Sequence, residues 1–222
     1  MNLQDYCKLR PCLWHMTTRD NWISLRKRAG EGGDYSLSST ASLHAEAESP
    51  GFDLATPRQA CEPLTLPWGN ALILDQLPLL NVEKRLEFPD EWDLARYCGW
   101  LNEFVFFWPG TRDGPVTRPG KKHFKHYLET AEVKLTFLRL DAEKVLLDPE
   151  RPPLFSSKTT GAPSGGKKAV GREADVFLAA GELNVPSDVL EVAFRDGVSL
   201  KASEVSPVAE SRMREHLGIA KA

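Results

Sequence analysis

The sequence predicts an α+β fold: one domain spanning residues 1–222, built on a split, mostly antiparallel sheet of about six strands with helices packed on it. Three observations carry this. Strand-like runs fall at 13–16, 104–108, 133–140, 175–179 and 189–200. The helical segments between them have irregular spacing, without the steady β-α-β alternation of a parallel sheet. A chain of 222 residues is also long enough to bury a real core.

The first strand, Leu13-Trp14-His15-Met16, is apolar apart from one histidine. On its own, such a histidine is most simply a core residue with a satisfied hydrogen bond. Thr17, Thr18, Arg19 and Asp20 follow, and Thr18 or Asp20 can cap a helix. Trp22, Ile23 and Leu25 put apolar bulk on one side of that helix. Arg26, Lys27 and Arg28 suit the negative end of its dipole, and Gly30 suits its stop. A small polar run, Tyr35-Ser36-Leu37-Ser38-Ser39-Thr40, comes next.

Residues Glu31 to Pro67 are the least regular, with a short helix near 41–48. They read either as surface loops or as a lid over a substrate. Asn70 to Leu80 fits a strand or a buried helical turn equally, and Asp75-Gln76 before Pro78 reads as a structural turn. Asp90 is placed to cap a helix carrying Leu94, Tyr97, Cys98 and Leu101, ended by Asn102. Phe104 to Trp108 is a strand covered on both faces, closed by Pro109-Gly110.

Thr111 to His126 concentrates Arg112, Arg118, Lys121, Lys122 and Lys125 with His123 and His126, against Asp113 alone. It reads as a solvated charged loop or as a phosphate-docking surface. It leads into a helix lined by Phe124, Tyr127, Leu128 and Ala131. Val133 to Leu140 alternates as a half-buried strand, with Asp141 capping the turn after it. Glu150 to Val170 is a loop by composition. Val189 to Phe194 alternates, Asp196-Gly197 predicts a hairpin turn into Val198-Ser199-Leu200, and Glu204 to Leu217 predicts a closing helix with Pro207 near its start.

Composition narrows the function classes. A net charge of -3 argues against a protein that coats nucleic acid non-specifically, while leaving room for a local basic groove. Cys7, Cys12, Cys61 and Cys98 are scattered without ligand spacing, so no metal site is expected, and Cys12 and Cys98 read as buried thiols. There is no signal-peptide pattern and no stretch apolar enough to span a bilayer, so the expected location is cytoplasmic. No phosphate-binding glycine loop, dinucleotide fingerprint or serine-hydrolase elbow is present.

Three stretches, in this order, carry a family resemblance. The first is H-x-T-x-x-x-N with the later serine: His15, Thr17, Asn21 and Ser38. The second is L-N-x-x-V-F-F-W over residues 101–108. The third is Arg172-Glu173-Ala174-Asp175-Val176-Phe177-Leu178. Together they resemble the bacterial DarT-type DNA ADP-ribosyltransferases. They are more similar still to a bacterial domain family distantly related to those enzymes, in which the D-Q-x-P element also recurs.

The resemblance implies an ADP-ribosyltransferase-like fold that uses NAD. His15, Thr17, Asn21, Ser38, Phe106 and Trp108 would hold the NAD, and Asp175 would be the catalytic carboxylate. Arg172 would pair with the diphosphate or with Asp175. Arg118, Lys121, Lys122 and Lys125 would dock the substrate. It implies nucleic acid as an acceptor, a role as a toxin or phage-defence effector, and a partner such as an antitoxin. Asp175 departs from the family's glutamate and is one methylene shorter; Glu173 and Glu182 are the alternative carboxylates. Two other readings stand beside this one. An RNA 2′-phosphotransferase-like enzyme would use the same cofactor and fold. A catalytically inactive module would only bind NAD or nucleic acid.

Overall fold

In the computed structural model, which describes residues 1–80, 86–160, 170–171 and 174–220, the chain opens with a short helix, α1 (Leu3–Leu9). The Asn2 side chain caps it by accepting the amides of Gln4 and Asp5. The strand β1 (Cys12–Thr18) turns directly into α2 (Arg19–Ala29). Thr18 is the cap, its Oγ1 accepting the Asn21 amide at 3.1 Å, and Gly30 ends the helix at φ 70°. Then come β2 (Tyr35–Ser38), α3 (Thr40–Glu46), and the hairpin β3 (Glu62–Leu66) and β4 (Gly69–Ile73). The next elements are α4 (Leu77–Leu80), β5 (Leu86–Glu87), α5 (Leu94–Leu101), β6 (Phe104–Gly110) and α6 (Arg118–Thr130). β7 (Leu135–Asp141), α7 (Ala142–Leu146), β8 (Leu154–Ser156) and β9 (Val170–Gly171) follow. The chain closes with β10 (Glu191–Arg195), β11 (Gly197–Leu200), β12 (Val205–Ala209) and α8 (Glu210–His216).

The fold is mixed α+β around a six-stranded sheet in the order β12-β7-β1-β6-β10-β8, with every adjacent pair antiparallel. β11 pairs with β2 and β5 pairs parallel with β9, outside that sheet. Side-chain alternation sorts the core. Leu13 of β1 and Val105 and Phe107 of β6 join Tyr6, Val145, Phe155 and Val192 in one apolar cluster. Trp14 and Met16 of β1 and Trp108 of β6 join Phe124, Phe137 and Met213 in another. The α6 helix approaches Trp108 closely because Gly120 has no side chain: a Cβ there would lie 2.7 Å from the indole.

One irregularity of the sheet matters for everything below. β1 pairs with β7 along its whole length, but its ladder with β6 covers only Cys12↔Gly110, Leu13↔Pro109 and Trp14↔Trp108. Beyond Trp14 and Trp108 the two strands continue on diverging paths, β1 held by β7 and β6 by β10. The sheet therefore forks at its centre, and a fork between two strands is a natural place for a cavity.

Several expectations need correction. The helix expected from Asp90 starts at Leu94 instead, because Asp93 accepts the Arg96 amide at 2.7 Å and takes the cap. β6 runs through Pro109-Gly110, at the strand end beyond the β10 ladder, where a missing N–H is tolerated. The run 175–179 is no strand: Ala174–Val176 is a 3-10 turn, and Leu178 makes one isolated bridge to Phe155. Asp196 (φ 61°) and Gly197 do make a tight turn, but β10 and β11 are not a hairpin, since β11 leaves to pair with β2. Residues 205–209, expected in a helix, form the edge strand β12, where Pro207 costs no interior ladder bond. The segment Asn70 to Leu80 resolves into both alternatives, the strand β4 and then the short helix α4.

Candidate functional site

A cavity of about 740 Å³ opens at the fork, a size ordinary for a ligand site. His15, Thr17, Asn21 and Ser38 line it, as do Phe106, Trp108 and Lys122. The residues come from distant parts of the chain, and the fold gathers them because β1, α2, β2, β6 and α6 all border the divergence.

His15 spans the fork. β6 can no longer offer the Phe106 carbonyl to β1 backbone, and the His15 ring takes it, Nδ1 donating at 2.9 Å. A carbonyl only accepts, so Nδ1 carries the proton and Nε2 is left as an acceptor in the neutral ring. Burial holds the ring's pKa below the ordinary histidine value, the backbone bond opposing it. The expected role as a core histidine with a satisfied bond and the expected place in a cleft are thus both realised at one position.

Asn21 lines the cavity but its amide is committed. It donates to the Leu72 carbonyl and accepts the Leu72 amide, each at 2.8 Å, which clamps the β3–β4 hairpin to α2. Its remaining donor reaches Thr17 Oγ1 at 3.4 Å. Asn21 therefore shapes the cavity by fixing its wall.

The aromatic side is layered. His123 stacks on Trp108 with ring centroids 4.3 Å apart, and Tyr127 lies 5.0 Å from His123. Burial pushes the His123 ring down to about 3, with His126 and His15 adding repulsion, so it is neutral near pH 7. The α6 helix places Pro119, Lys122, His123, His126 and Tyr127 on its cavity side, at helical spacing. Arg118, Lys121 and Lys125 are exposed and do not line the cavity, and Lys125 pairs with Glu129 at 3.6 Å. The four cations expected to act together are thus divided by the helix, Lys122 on one side and the other three on the surface.

The carboxylate is where the expectation changes most. Asp175 does not line the cavity. Its side chain is 53% exposed and its carboxylate lies 3.8 Å from Lys158. Its neighbour Phe177 packs against Phe106 and Phe104, so the segment docks behind the aromatic strand while Asp175 points to solvent. Arg172 and Glu173 lie outside the described residues. Glu182 is exposed and caps a 3-10 turn by accepting the Ala179 amide. Two carboxylates among the described residues do line the cavity, Asp75 and Glu191, and of these Glu191, the first residue of β10, is the buried one. It is 3% exposed, and its Oε2 accepts the Thr160 hydroxyl at 2.6 Å and the Thr160 amide at 3.1 Å. The signal available in the sequence was a glutamate inside the apolar run Val189 to Phe194; two-residue alternation assigns it to solvent, whereas Glu191, Val192, Ala193 and Phe194 are all buried, so both faces of β10 are covered.

The Asp75-Gln76 pair has a structural part. The Tyr127 hydroxyl donates to the Asp75 carbonyl at 2.8 Å, and the Asp75 carboxylate accepts the Leu77 amide at 3.0 Å, starting α4. Gln76 donates to Asn102 Oδ1 at 3.2 Å and accepts the Arg58 amide at 3.3 Å. Arg58, in the segment read as loop or lid, lines the cavity and was not foreseen.

Among the described residues no cluster of histidine, cysteine or carboxylate side chains could hold a metal ion, and no helix is long and apolar enough to cross a membrane. The model of a protein family of unknown function, DUF7002, matches residues 11–208. No curated protein and no solved structure matches the chain.

Proposed function

The chain belongs to the DUF7002 family, and we propose that it is an NAD-dependent ADP-ribosyltransferase whose cleft is the fork between β1 and β6. One observation carries the reading. The first two stretches that resemble such enzymes, although far apart in sequence, border one cavity, and a buried carboxylate borders it too.

The chemistry asks for little covalent help. The bond between the nicotinamide nitrogen and the ribose breaks, and its electron pair leaves with the nicotinamide, cancelling the ring's positive charge. An acceptor oxygen or nitrogen then bonds to the ribose carbon and gives up its proton. Positive charge builds on the sugar in between, as in glycoside hydrolysis. In this reading Phe106 and the Trp108–His123 stack form the aromatic wall for the nicotinamide. The Nε2 lone pair of His15 accepts a ribose hydroxyl, with Thr17 and Ser38 beside it. Glu191 faces the developing charge, held in place by Thr160. The exposed face of Arg118, Lys121 and Lys125 receives a nucleic-acid acceptor through its phosphates. A role as a toxin or defence effector, acting in the cytoplasm and restrained by a partner protein, fits such an activity.

The test is nicotinamide release from NAD by the purified full-length protein, with and without single-stranded or duplex oligonucleotides, alongside direct NAD binding. Release supports the enzyme. Binding without release under any acceptor leaves the inactive binding module.

A further inference from the structure

Arg58 is a buried cation that forms no ion pair among the described residues, although Asp75 and Glu62 lie near enough to favour its charge. The residue is 7% exposed, yet among the described residues no carboxylate oxygen lies within the 4.0 Å of an ion pair. Buried charges are normally paired, because the cost of leaving water is otherwise not offset. Arg58 is instead immobilised by neutral groups. Its Nε donates to the Leu74 carbonyl at 3.0 Å, its Nη1 to Asn102 Oδ1 at 3.1 Å, and its guanidinium lies 5.2 Å from the Phe52 ring centroid. Asn102 is itself fixed by Gln76 and by its own bond to the Leu54 carbonyl. That leaves Nη2 without a hydrogen-bond acceptor among the described residues, on a side chain that lines the cavity.

A second feature of the same cavity points the same way. Lys122 and His126 sit one helical turn apart on the α6 wall, and the His126 Nε2 is buried with no hydrogen-bond partner among the described residues. The two carboxylates on the cavity wall are engaged elsewhere: Asp75 with Tyr127 and Leu77, Glu191 with Thr160.

We infer that Arg58 is a preorganised anion receptor, and that Arg58, with Lys122 and His126 lining the same cavity, holds the diphosphate of a dinucleotide. A planar guanidinium fixed by two neutral bonds presents its remaining N–H groups to a phosphoryl oxygen without further ordering, and Lys122 supplies a second positive charge at the exposed lip. The choice of a dinucleotide rests on the proposed function; the anion subsite itself does not.

The experiment compares ligands with and without the diphosphate on the full chain. Binding of ADP-ribose, inorganic pyrophosphate and adenosine is measured by calorimetry for the parent, Arg58→Lys, Arg58→Gln and Lys122→Ala. The expected result is that ADP-ribose and pyrophosphate bind the parent, that both Arg58 variants weaken ADP-ribose by about tenfold or more, as loss of a fixed charged bond should, and that adenosine is unaffected. Lys122→Ala, at an exposed position that leaves the core intact, should weaken ADP-ribose as well. ADP-ribose binding that is equal in the parent and in folded Arg58 variants overturns the inference. If the Arg58 variants do not fold, failure of pyrophosphate to raise the parent's melting temperature overturns it instead. Arg58-dependent binding of ADP-ribose in a protein that never releases nicotinamide would keep the subsite and remove the enzyme. Nicotinamide release with Arg58-independent ADP-ribose binding would do the reverse.

Discussion

His15 donates its Nδ1–H to the Phe106 carbonyl at 2.9 Å, across the gap where β1 and β6 stop pairing. The ring thereby replaces a missing rung of the sheet and must stay neutral to leave Nε2 as an acceptor. His123 is neutral as well, stacked on Trp108.

Those two rings set an expected pH dependence. Burial lowers both pKa values, His123 to about 3. The unfolded chain binds protons on these histidines below about 6.5, where the folded chain does not. Acid therefore favours unfolding: the contribution of both rings is fully present above about pH 6.5 and is lost as pH falls below it, for His123 down to about 3 at up to about 1.4 kcal/mol per pH unit. Urea midpoints measured at a series of pH values should fall over this range. His123→Phe should flatten the slope, because it keeps the stack on Trp108 and removes the proton. A slope unchanged in that variant would mean that other groups carry the acid sensitivity.

Asn21→Ala should loosen the β3–β4 hairpin without unfolding the sheet. The variant leaves the amide and carbonyl of Leu72 without their partners, a cost of about 1–3 kcal/mol. Amide exchange should accelerate at Ala71, Leu72 and Ile73 while β1 and β7 stay protected. Uniform acceleration across the chain would show instead that the clamp belongs to the global core.

Most of the sheet was legible from local pattern. β1, β6, β7 and β10 are short runs with few breakers, and the caps at Thr18 and Asp141 are written in residue type. The fork was not legible, because it is an absence of pairing between two strands that each look complete. The segments that differ depend on tertiary partners: after the 3-10 turn at Ala174–Val176 the chain is tied to Phe155 through Leu178, and the edge strand β12 is laddered to β7. At the cleft, His15, Thr17, Ser38, Phe106 and Trp108 could be singled out by their order along the chain. Arg58 could not, since nothing in its segment marks it for burial, and Glu191 is marked only by its place in an apolar run.

The outward cations should act on a nucleic-acid acceptor and not on NAD. Arg118, Lys121 and Lys125 are exposed, while Lys122 borders the cavity. Replacing the outward three by glutamine should weaken oligonucleotide binding and reduce its salt slope by about one per lost phosphate contact. NAD affinity should not change. If the triple variant loses NAD and keeps the oligonucleotide, the two surfaces have been assigned in reverse.

The carboxylate of the proposed reaction can be decided by two isosteric changes. Glu191 borders the cavity, is buried, and is fixed by the amide and hydroxyl of Thr160. Asp175 matches the resemblance by position but is half exposed beside Lys158. Glu191→Gln keeps the shape, and its amide oxygen can still accept both Thr160 bonds, so the fold should survive. The negative charge disappears, and with it the stabilisation of a cationic sugar. Nicotinamide release should drop by roughly a hundredfold or more, the scale for one preorganised transition-state contact. NAD binding should hold, since the loss belongs to the transition state. Asp175→Asn removes a surface ion pair, which contributes little, so release should stay within about twofold of the parent. The opposite result, with Asp175→Asn inactive and Glu191→Gln unimpaired, would assign the charge to the segment around Asp175 and leave Glu191 as a structural partner of Thr160.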